Sequence, residues 1–268
     1  SIIKEKLKNR FNIVISQEDR KLKKFKNLAI LHLAALDKKN CEKKKKLAYR
    51  INVNKTTDIL NLSKKYNFKK IIFFSSVHVY GKKTKIIREN HKLKPQNNYG
   101  LTKKKSEELL LRSSKEIEIV IFRLSNVVAK PLKENKQSKN LIVNYLCRKL
   151  IKGNIKIKSN GYDTRDFITI NYLLDCINYF LKPKNNGVFN ICSGKLLTII
   201  RLCKIISKFN YGQFNYKNMI KFGKRRIDNF DLKYSNGKIS KLVPIKSRHN
   251  LNLEIYRTIK FYKNNKTL

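Results

Sequence analysis

The order of apolar and polar residues along the chain predicts strands that alternate with helices. Runs that are apolar almost throughout occur at 11–16, 28–35, 69–81 and 117–128, and more polar segments separate them. Continuous apolar runs are typical of parallel strands that helices cover on both faces. The repeated strand–helix–strand pattern therefore predicts an α/β fold with a doubly wound parallel sheet in the first half of the chain.

The segments between and after these runs complete the predicted element order. Residues 42–66 and 97–113 are predicted to be helical, and residues 141–153 form a helix that Gly153 closes. The sequences RDFITI and GVFNIC predict two further strands, whereas residues 195–268 mix helices with loops. The second half therefore predicts a separate, smaller lobe.

The charge of the chain is strongly positive. The sequence has 63 Lys and Arg against 18 Asp and Glu, a formal net charge of +45. Such a charge suggests a nucleic-acid-binding protein, but the basic residues run through every segment beside abundant Asn and Ile. Lys, Asn and Ile share A/T-rich codons, so we favour nucleotide bias and expect only nonspecific, salt-dependent attraction to polyanions.

The sequence also bears on the cellular compartment of the protein and on metal binding. No apolar run reaches the roughly 18 residues of a membrane span, and the sequence SIIKEKLKNR lacks an apolar signal core. The four histidines show no metal-ligand spacing. Buried, reduced thiols in a cytoplasmic protein without metal or membrane are expected. The five cysteines form no C-x-x-C pair; they are Cys41, Cys147, Cys176, Cys192 and Cys203.

A Tyr–Lys pair four residues apart is the first candidate for chemistry. Tyr99 and Lys103 would share one face of a helix, but six of the 13 tyrosines have Lys at this spacing. The spacing alone therefore identifies nothing. Tyr99 differs from the other five because it closely follows a predicted strand that ends at Ser76, where α/β sheets bind ligands.

Ser76, Tyr99 and Lys103 together form a possible proton relay. A tyrosine with a pKa of about 10 needs this value lowered by roughly three units, or about 4 kcal/mol, to act as a base near neutrality. We expect the charge of Lys103 to supply part of this effect. The alternative is a capped helix packed on a strand, which the spacing accommodates equally well.

Seven segments resemble motifs of the extended short-chain dehydrogenase/reductase family, the NAD-dependent sugar epimerases and dehydratases, in the family's order. No single segment is specific, but together they cover nearly the whole chain. The segments are HLAA (32–35), NVNKT (52–56), SSVHVYG (75–81), YGLTK (99–103), RLSNVVAKP (123–131), RDFITI (165–170) and RRID (225–228).

The resemblance implies a role for each matching residue. Tyr99 would be the acid/base, Lys103 would tune it and hold the nicotinamide ribose, and Ser76 would hydrogen-bond the sugar oxygen. The residues implied to contact NAD or NADP are Leu33, Ala34, Ala35 and Ser125. Those implied to bind the substrate are His78, Asn126, Arg165 and Arg225; their alternative is ordinary surface charge and turn residues in a basic chain.

The resemblance implies NAD(P)-dependent epimerisation or oxidoreduction of a nucleotide-activated sugar. It also implies a role in polysaccharide biosynthesis. Val77 and His78 stand where dehydratases carry Asp and Glu, which argues against 4,6-dehydration. Relatives commonly pair through helices like 42–66 and 97–113, so the resemblance also implies a homodimer.

The implied architecture is Rossmann-like but incomplete. Residues 1–128 would form the dinucleotide-binding domain, to which 163–194 returns, and 129–268 would form mainly the substrate lobe. The chain contains no G-x-x-G-x-x-G motif, and its opening resembles the helix and second strand that follow that motif in the family. We therefore expect a truncated member without the first strand and Gly-rich loop; a noncatalytic relic and a basic nucleic-acid-binding protein are the alternatives.

Overall fold

The structure is a computed structural model that describes residues 2–8, 29–81, 86–133, 138–139, 141–153, 155–211, 220–224 and 232–265. The predicted strand at 11–16 and the candidate Arg225 lie outside these residues. The helices are α1 (Ile2–Leu7), α2 (Lys38–Lys43), α3 (Lys45–Tyr49), α4 (Lys55–Lys65), α5 (Asn98–Arg112), α6 (Ile142–Ile151), α7 (Ile170–Phe180), α8 (Ile199–Tyr211), α9 (Gly237–Ser240) and α10 (Leu251–Asn264). The strands are β1 (Ala29–His32), β2 (Lys70–Ser76), β3 (Ile86–Ile87), β4 (Glu118–Leu124), β5 (Asn126–Val128), β6 (Ile155–Ile157), β7 (Thr164–Thr169), β8 (Gly187–Ile191), β9 (Leu196–Thr198), β10 (Ile220–Phe222) and β11 (Lys233–Tyr234).

A parallel sheet forms the centre of the first half. Its described strands lie in the order β1–β2–β4–β8, and each neighbouring pair is parallel. Parallel pairing brings the carboxyl ends of all these strands to one edge, so Ser76 lies beside Leu124 and Leu124 beside Ile191. The predicted α/β fold with a parallel sheet is confirmed.

The position of β2 between two layers of helices explains why its sequence is apolar almost throughout. Ile71 and Phe73 pack with residues of α4 and α5, whereas Ile72 and Phe74 pack with residues of α1 and α7 on the opposite face. Successive side chains of a strand point to opposite faces, so a strand covered on both sides buries every residue. Each residue of β2 is indeed buried.

The second half contributes a separate apolar cluster. Helices α6, α8 and α10 pack there with β6, β7 and β10 around Leu146, Leu202 and Ile255. Strand β7 pairs with β5 in parallel and with β9 antiparallel, and β6 pairs with β10. The predicted closure of α6 by Gly153 is confirmed, since its φ of 110° suits glycine.

Three predicted elements differ in detail from the structure. The helix predicted over 42–66 is interrupted at Lys44 and contains a π-helical segment, Arg50–Asn54. The run at 117–128 forms two strands separated at Ser125, and the run at 28–35 ends as a strand at His32. The side chain of Asn52 bonds Leu36 and Thr102, which are distant in sequence, and regular periodicity does not predict such contacts.

Candidate functional site

The start of α5 packs unusually closely on the turn that follows β2. The side chain of Asn97 caps the helix by accepting a hydrogen bond from the backbone nitrogen of Gly100 at 2.8 Å. A Cβ atom on Gly100 would lie 2.1 Å from the carbonyl oxygen of His78, so only glycine permits this approach. The contact brings Tyr99 next to the carboxyl end of β2.

Tyr99 and Ser76 meet at that end of the strand. The Ser76 hydroxyl lies close enough to the Tyr99 phenol to act on its pKa, and it accepts a hydrogen bond from the backbone nitrogen of His78 at 3.3 Å. Desolvation of the phenol raises the pKa of Tyr99 to about 12, although the nearby Ser76 hydroxyl acts in the opposite direction. Burial therefore acts against the lowered pKa that a general base at this position needs, and the lowered value stays a prediction.

Lys103 lies fully buried one helical turn after Tyr99. Its ammonium group donates to the carbonyl oxygen of Phe74 at 2.7 Å and lies 4.7 Å from the centre of the Phe73 ring. The same nitrogen is 6.0 Å from the centre of the Tyr99 ring. Desolvation lowers the pKa of Lys103 to about 8, and the nearby Cys41 and Glu107 partly offset this effect.

His78 forms the outer side of this cluster. Its ring packs edge-on against Tyr99 with 5.9 Å between the ring centres, while the residue remains exposed. Desolvation lowers the pKa of His78, and the positive charges of Lys38 and Arg165 add to the effect. These two basic residues, from α2 and β7, thus lie near the mouth of the cluster.

A second group of candidates is held together by Asp166, a buried residue of β7. Its carboxylate accepts from the backbone nitrogen and the hydroxyl of Ser193, both at 2.9 Å. Its carbonyl oxygen accepts from the Asn126 side chain at 2.9 Å, and Ser125 lies close enough to the Asp166 carboxylate to act on its pKa. Asp166 therefore joins the segments that follow β4 and β8, next to Arg165.

The candidate cofactor residues lie in the loop after β1. Leu33 and Ala34 are exposed, and Ala35 is half-buried. The loop is fixed by Asn52, whose side chain accepts from the backbone nitrogen of Leu36 at 2.7 Å and donates to Thr102 at 2.9 Å. Because Thr102 directly precedes Lys103, one amide side chain connects this loop to the helix that carries the Tyr–Lys pair.

Neither a metal centre nor a membrane-spanning helix is found in the part of the chain that the structure describes. No three His, Cys, Asp or Glu side chains there are grouped to hold a metal ion. No helix there is long and apolar enough to cross a membrane. All five cysteines are free and buried, as expected from the sequence.

Comparison with known proteins identifies the family. The family model described as "NAD dependent epimerase/dehydratase family" matches residues 7–192, more than half of the chain. The chain belongs to this family. The match spans both the Ser76–Tyr99–Lys103 cluster and the segments that Asp166 joins, and it confirms the family assignment made from the sequence motifs.

Curated relatives of this epimerase/dehydratase family member carry the names of several sugar-modifying enzymes. A protein of Methanocaldococcus jannaschii named "Putative UDP-glucose 4-epimerase" is 32% identical over 163 residues, which are 58% of this chain and 52% of the relative. The "D-erythronate dehydrogenase" of Haemophilus influenzae is 30% identical over 118 residues, 42% of this chain and 38% of the relative. The chain spans about half the length of the curated relatives that it matches.

Solved structures share the fold of this family member. A UDP-glucose 4-epimerase superposes with a TM-score of 0.82 at 18% identity, covering 93% of this chain and 81% of that one. The Bacillus cereus UDP-glucuronic acid 4-epimerase, in complex with UDP-glucuronic acid and NAD, gives 0.78 at 22% identity, covering 95% and 81%. These likenesses support the Rossmann-like fold.

The described residues of the family member fit part of a dinucleotide. Exposed apolar side chains of the loop after β1 lie at the sheet edge where Tyr99 and Lys103 also lie, which suits a planar ring and its ribose. Residues for the pyrophosphate are not evident, because the sequence has no G-x-x-G-x-x-G motif.

Sequence reasoning missed the residues that connect the site. Asn52, Asp166 and Glu107 received no role, although each lies within or near a family-like motif. A spacing signal existed for Glu107, which lies four residues after Lys103 and eight after Tyr99. Tyr172, a buried residue of α7, donates to the carbonyl oxygen of Val243 at 3.2 Å.

Proposed function

We propose that this chain carries out NAD(P)-dependent epimerisation, or a related oxidoreduction, of a nucleotide-activated sugar. The observation that supports the proposal most is the meeting of the Tyr99 and Ser76 hydroxyl groups above a buried Lys103 at the carboxyl edge of a parallel sheet. Two hydroxyl groups and an ammonium group at one sheet edge form a set that can move a proton to or from a sugar oxygen.

Tyr99 is protonated at neutral pH because its pKa is about 12. It is therefore suited to donate a proton to the oxygen of a keto-sugar during reduction. The reverse step requires the deprotonated form of Tyr99 to accept a proton from a sugar hydroxyl, and a positive charge nearby would favour that form. When bound, the nicotinamide would supply the hydride acceptor and donor. Ser76 would hold the sugar oxygen against Tyr99 through its hydroxyl.

The substrate proposal rests on the relatives and on the charges around His78. Several solved structures of similar fold contain a bound UDP-sugar, so UDP-sugars are the first candidates for this chain. Lys38 and Arg165 lie close enough to influence His78, and Asn126 lies beside Asp166. Cations at the mouth of the cluster suit the diphosphate of such a substrate. Arg225 stays a prediction for the same role.

The activity is tested by product analysis with NAD or NADP and a panel of UDP- and GDP-sugars. We expect turnover by the wild type and its loss, by about 10²-fold or more, in Tyr99→Phe, because Phe lacks the proton that is transferred. Calorimetry should show that the variant binds the cofactor as the wild type does. Tyr66→Phe, which changes another of the six Tyr–Lys pairs, is the matched control and should retain turnover.

Two results would contradict the assignment. Turnover retained in Tyr99→Phe would remove Tyr99 from the chemistry. A wild type that binds neither NAD nor NADP would instead favour the noncatalytic relic.

We further infer that the active form is a cytoplasmic homodimer. The five free, buried thiols are consistent with a reducing compartment. The surface of α3–α5 exposes Tyr49 and Leu101, and between these helices runs a groove lined by Val53, Leu109 and Arg112 among others. Light scattering should give twice the mass of one chain, and replacement of Leu101 by Glu should reduce it to that of one chain.

A further inference from the structure

The helix and strand that carry the proposed relay share a third, fully buried contact. Tyr99, Lys103 and Glu107 are spaced by four residues and so lie on one face of α5. The first two contact β2 as described above. The third accepts a hydrogen bond from the hydroxyl group of Ser75, between the two residues that bind Lys103 and Tyr99. Three consecutive strand residues are thus matched to three successive turns of the helix.

Glu107 also forms a two-point ion pair with Arg123 of β4. The Arg123 Nη2 atom lies 2.7 Å from one carboxylate oxygen, and Nε lies 3.2 and 3.1 Å from the two oxygens. Arg123 in turn donates to the Tyr80 hydroxyl at 2.8 Å and to the Glu89 carbonyl at 2.9 Å. Glu107 is 1% exposed and Arg123 is 4% exposed. This buried ion pair, whose polar atoms have hydrogen-bond partners, therefore holds α5 against β4 of the sheet.

The titratable groups around Lys103 differ in the charge they carry. On other elements these are Cys41 of α2 and His32 of β1, and on its own helix they are Tyr99 and Glu107. Burial raises the pKa of the Cys41 thiol and lowers the pKa of His32 to about 3, so both are neutral near pH 7. Tyr99 is neutral there as well. Glu107 therefore supplies the negative charge among these groups.

We propose that Glu107 is a positioning residue for the Tyr99–Lys103 pair. Its carboxylate keeps Lys103 charged at neutral pH, and its hydrogen bond with Ser75 holds α5 in the register that presents Tyr99 to the substrate. Glu107 itself touches no reacting atom. The catalytic part of this role rests on the proposed function, whereas the charge state of Lys103 does not.

The charge state is measured directly by NMR on the full chain labelled with [6-¹³C]lysine. The Lys103 signal is assigned by its absence from Lys103→Arg. In Glu107→Gln, which keeps the side-chain volume and an acceptor oxygen, we expect the titration midpoint of Lys103 to fall by about one pH unit. Glu108→Gln is the matched control, since Glu108 is exposed and pairs with Lys104 at 3.6 Å; it should leave the midpoint unchanged.

A second readout is the pH profile of turnover. The alkaline limb should move to lower pH in Glu107→Gln, and Glu107→Asp, which restores the charge, should move both the limb and the Lys103 midpoint back toward wild type. An unchanged Lys103 midpoint in Glu107→Gln, an equal shift in Glu108→Gln, or no recovery in Glu107→Asp would overturn the proposal. So would loss of cooperative unfolding in Glu107→Gln, because Glu107 would then serve only the fold. An inactive wild type with the expected Lys103 shifts would count against the proposed function and not against the role of Glu107 in holding the charge.

Discussion

At the scale of single residues, Lys103 is under opposing influences. Its burial disfavours the charged form, whereas the Phe74 carbonyl and the Glu107 carboxylate favour it. The result is a pKa of about 8 in place of 10.5. The sequence predicted the identity of this residue but not its environment, because 63 basic residues look alike until tertiary contacts bury one of them. The same burial raised the pKa of Tyr99, which spacing alone did not predict.

The lowered pKa of Lys103 makes a contribution to stability that depends on pH. Between pH 8 and pH 10.5 the unfolded chain binds the Lys103 proton more tightly than the folded chain, so the free energy of unfolding rises with pH across this window. Relative to Lys103→Met, the wild type should gain about 3 kcal/mol between these limits. Chemical denaturation of both proteins across this pH range measures the gain; a constant or falling difference would contradict it.

At the scale of elements, the sequence predicted the central sheet but not several of the side-chain contacts that hold neighbouring elements against it. Continuous apolar runs predicted parallel strands because both faces of β2 are covered, a property that the residues themselves carry. The π-helical turn at Asn52 was not predictable, because its side chain bonds Leu36 and Thr102, which are distant in sequence. The same holds for Lys70, which lies at the opposite end of β2 from the candidate site.

Lys70 joins β2 to the end of α7. Its buried ammonium group donates to the carbonyl oxygens of Phe180 at 2.7 Å, Lys182, and Asn185 at 3.1 Å, and it pairs with Glu118 at 2.8 Å. The Phe180 carbonyl belongs to the last turn of α7, where backbone acceptors lack helical partners, and the other two carbonyls lie in the segment that follows.

Replacement of Lys70 by Met should destabilise the fold, because it leaves several backbone acceptors without their donor and removes the cation that pairs with Glu118. We expect the free energy of unfolding to fall by about 3 kcal/mol, measured by urea denaturation. Lys69→Met is the matched control; Lys69 is exposed and bonds only the Asn67 side chain in the described contacts, at 3.0 Å, so its loss should change stability by less than about 0.5 kcal/mol. Equal losses in both variants would show that Lys70 does not cap α7.

At the scale of the whole molecule, the net charge of +45 acts against compactness. Pairs such as Lys64–Glu116 and Lys55–Asp58 have exposed side chains and contribute little to stability. The apolar clusters on both faces of the sheet and in the second half must therefore outweigh a repulsion that salt would screen.

Thermal stability should accordingly increase with ionic strength. Between about 20 mM and about 500 mM NaCl at pH 7, screening should raise Tm by about 3 °C or more, which corresponds to roughly 1 kcal/mol. The control is the same series near pH 10.5, where many lysines have lost their charge and the salt effect should shrink. A salt response of equal size at both pH values would indicate a cause other than charge repulsion.

The matched contacts of α5 and β2 also bear on how this segment can vary. Because Tyr99, Lys103 and Glu107 follow one another at intervals of four residues, inserting or deleting one residue between them would rotate the remainder of the helix by about 100°. If the residues before the change kept their contacts with β2, those after it would lose theirs, and the reverse would hold as well. The segment from 99 to 107 can thus exchange its exposed residues freely, but its length is fixed by the strand beneath it.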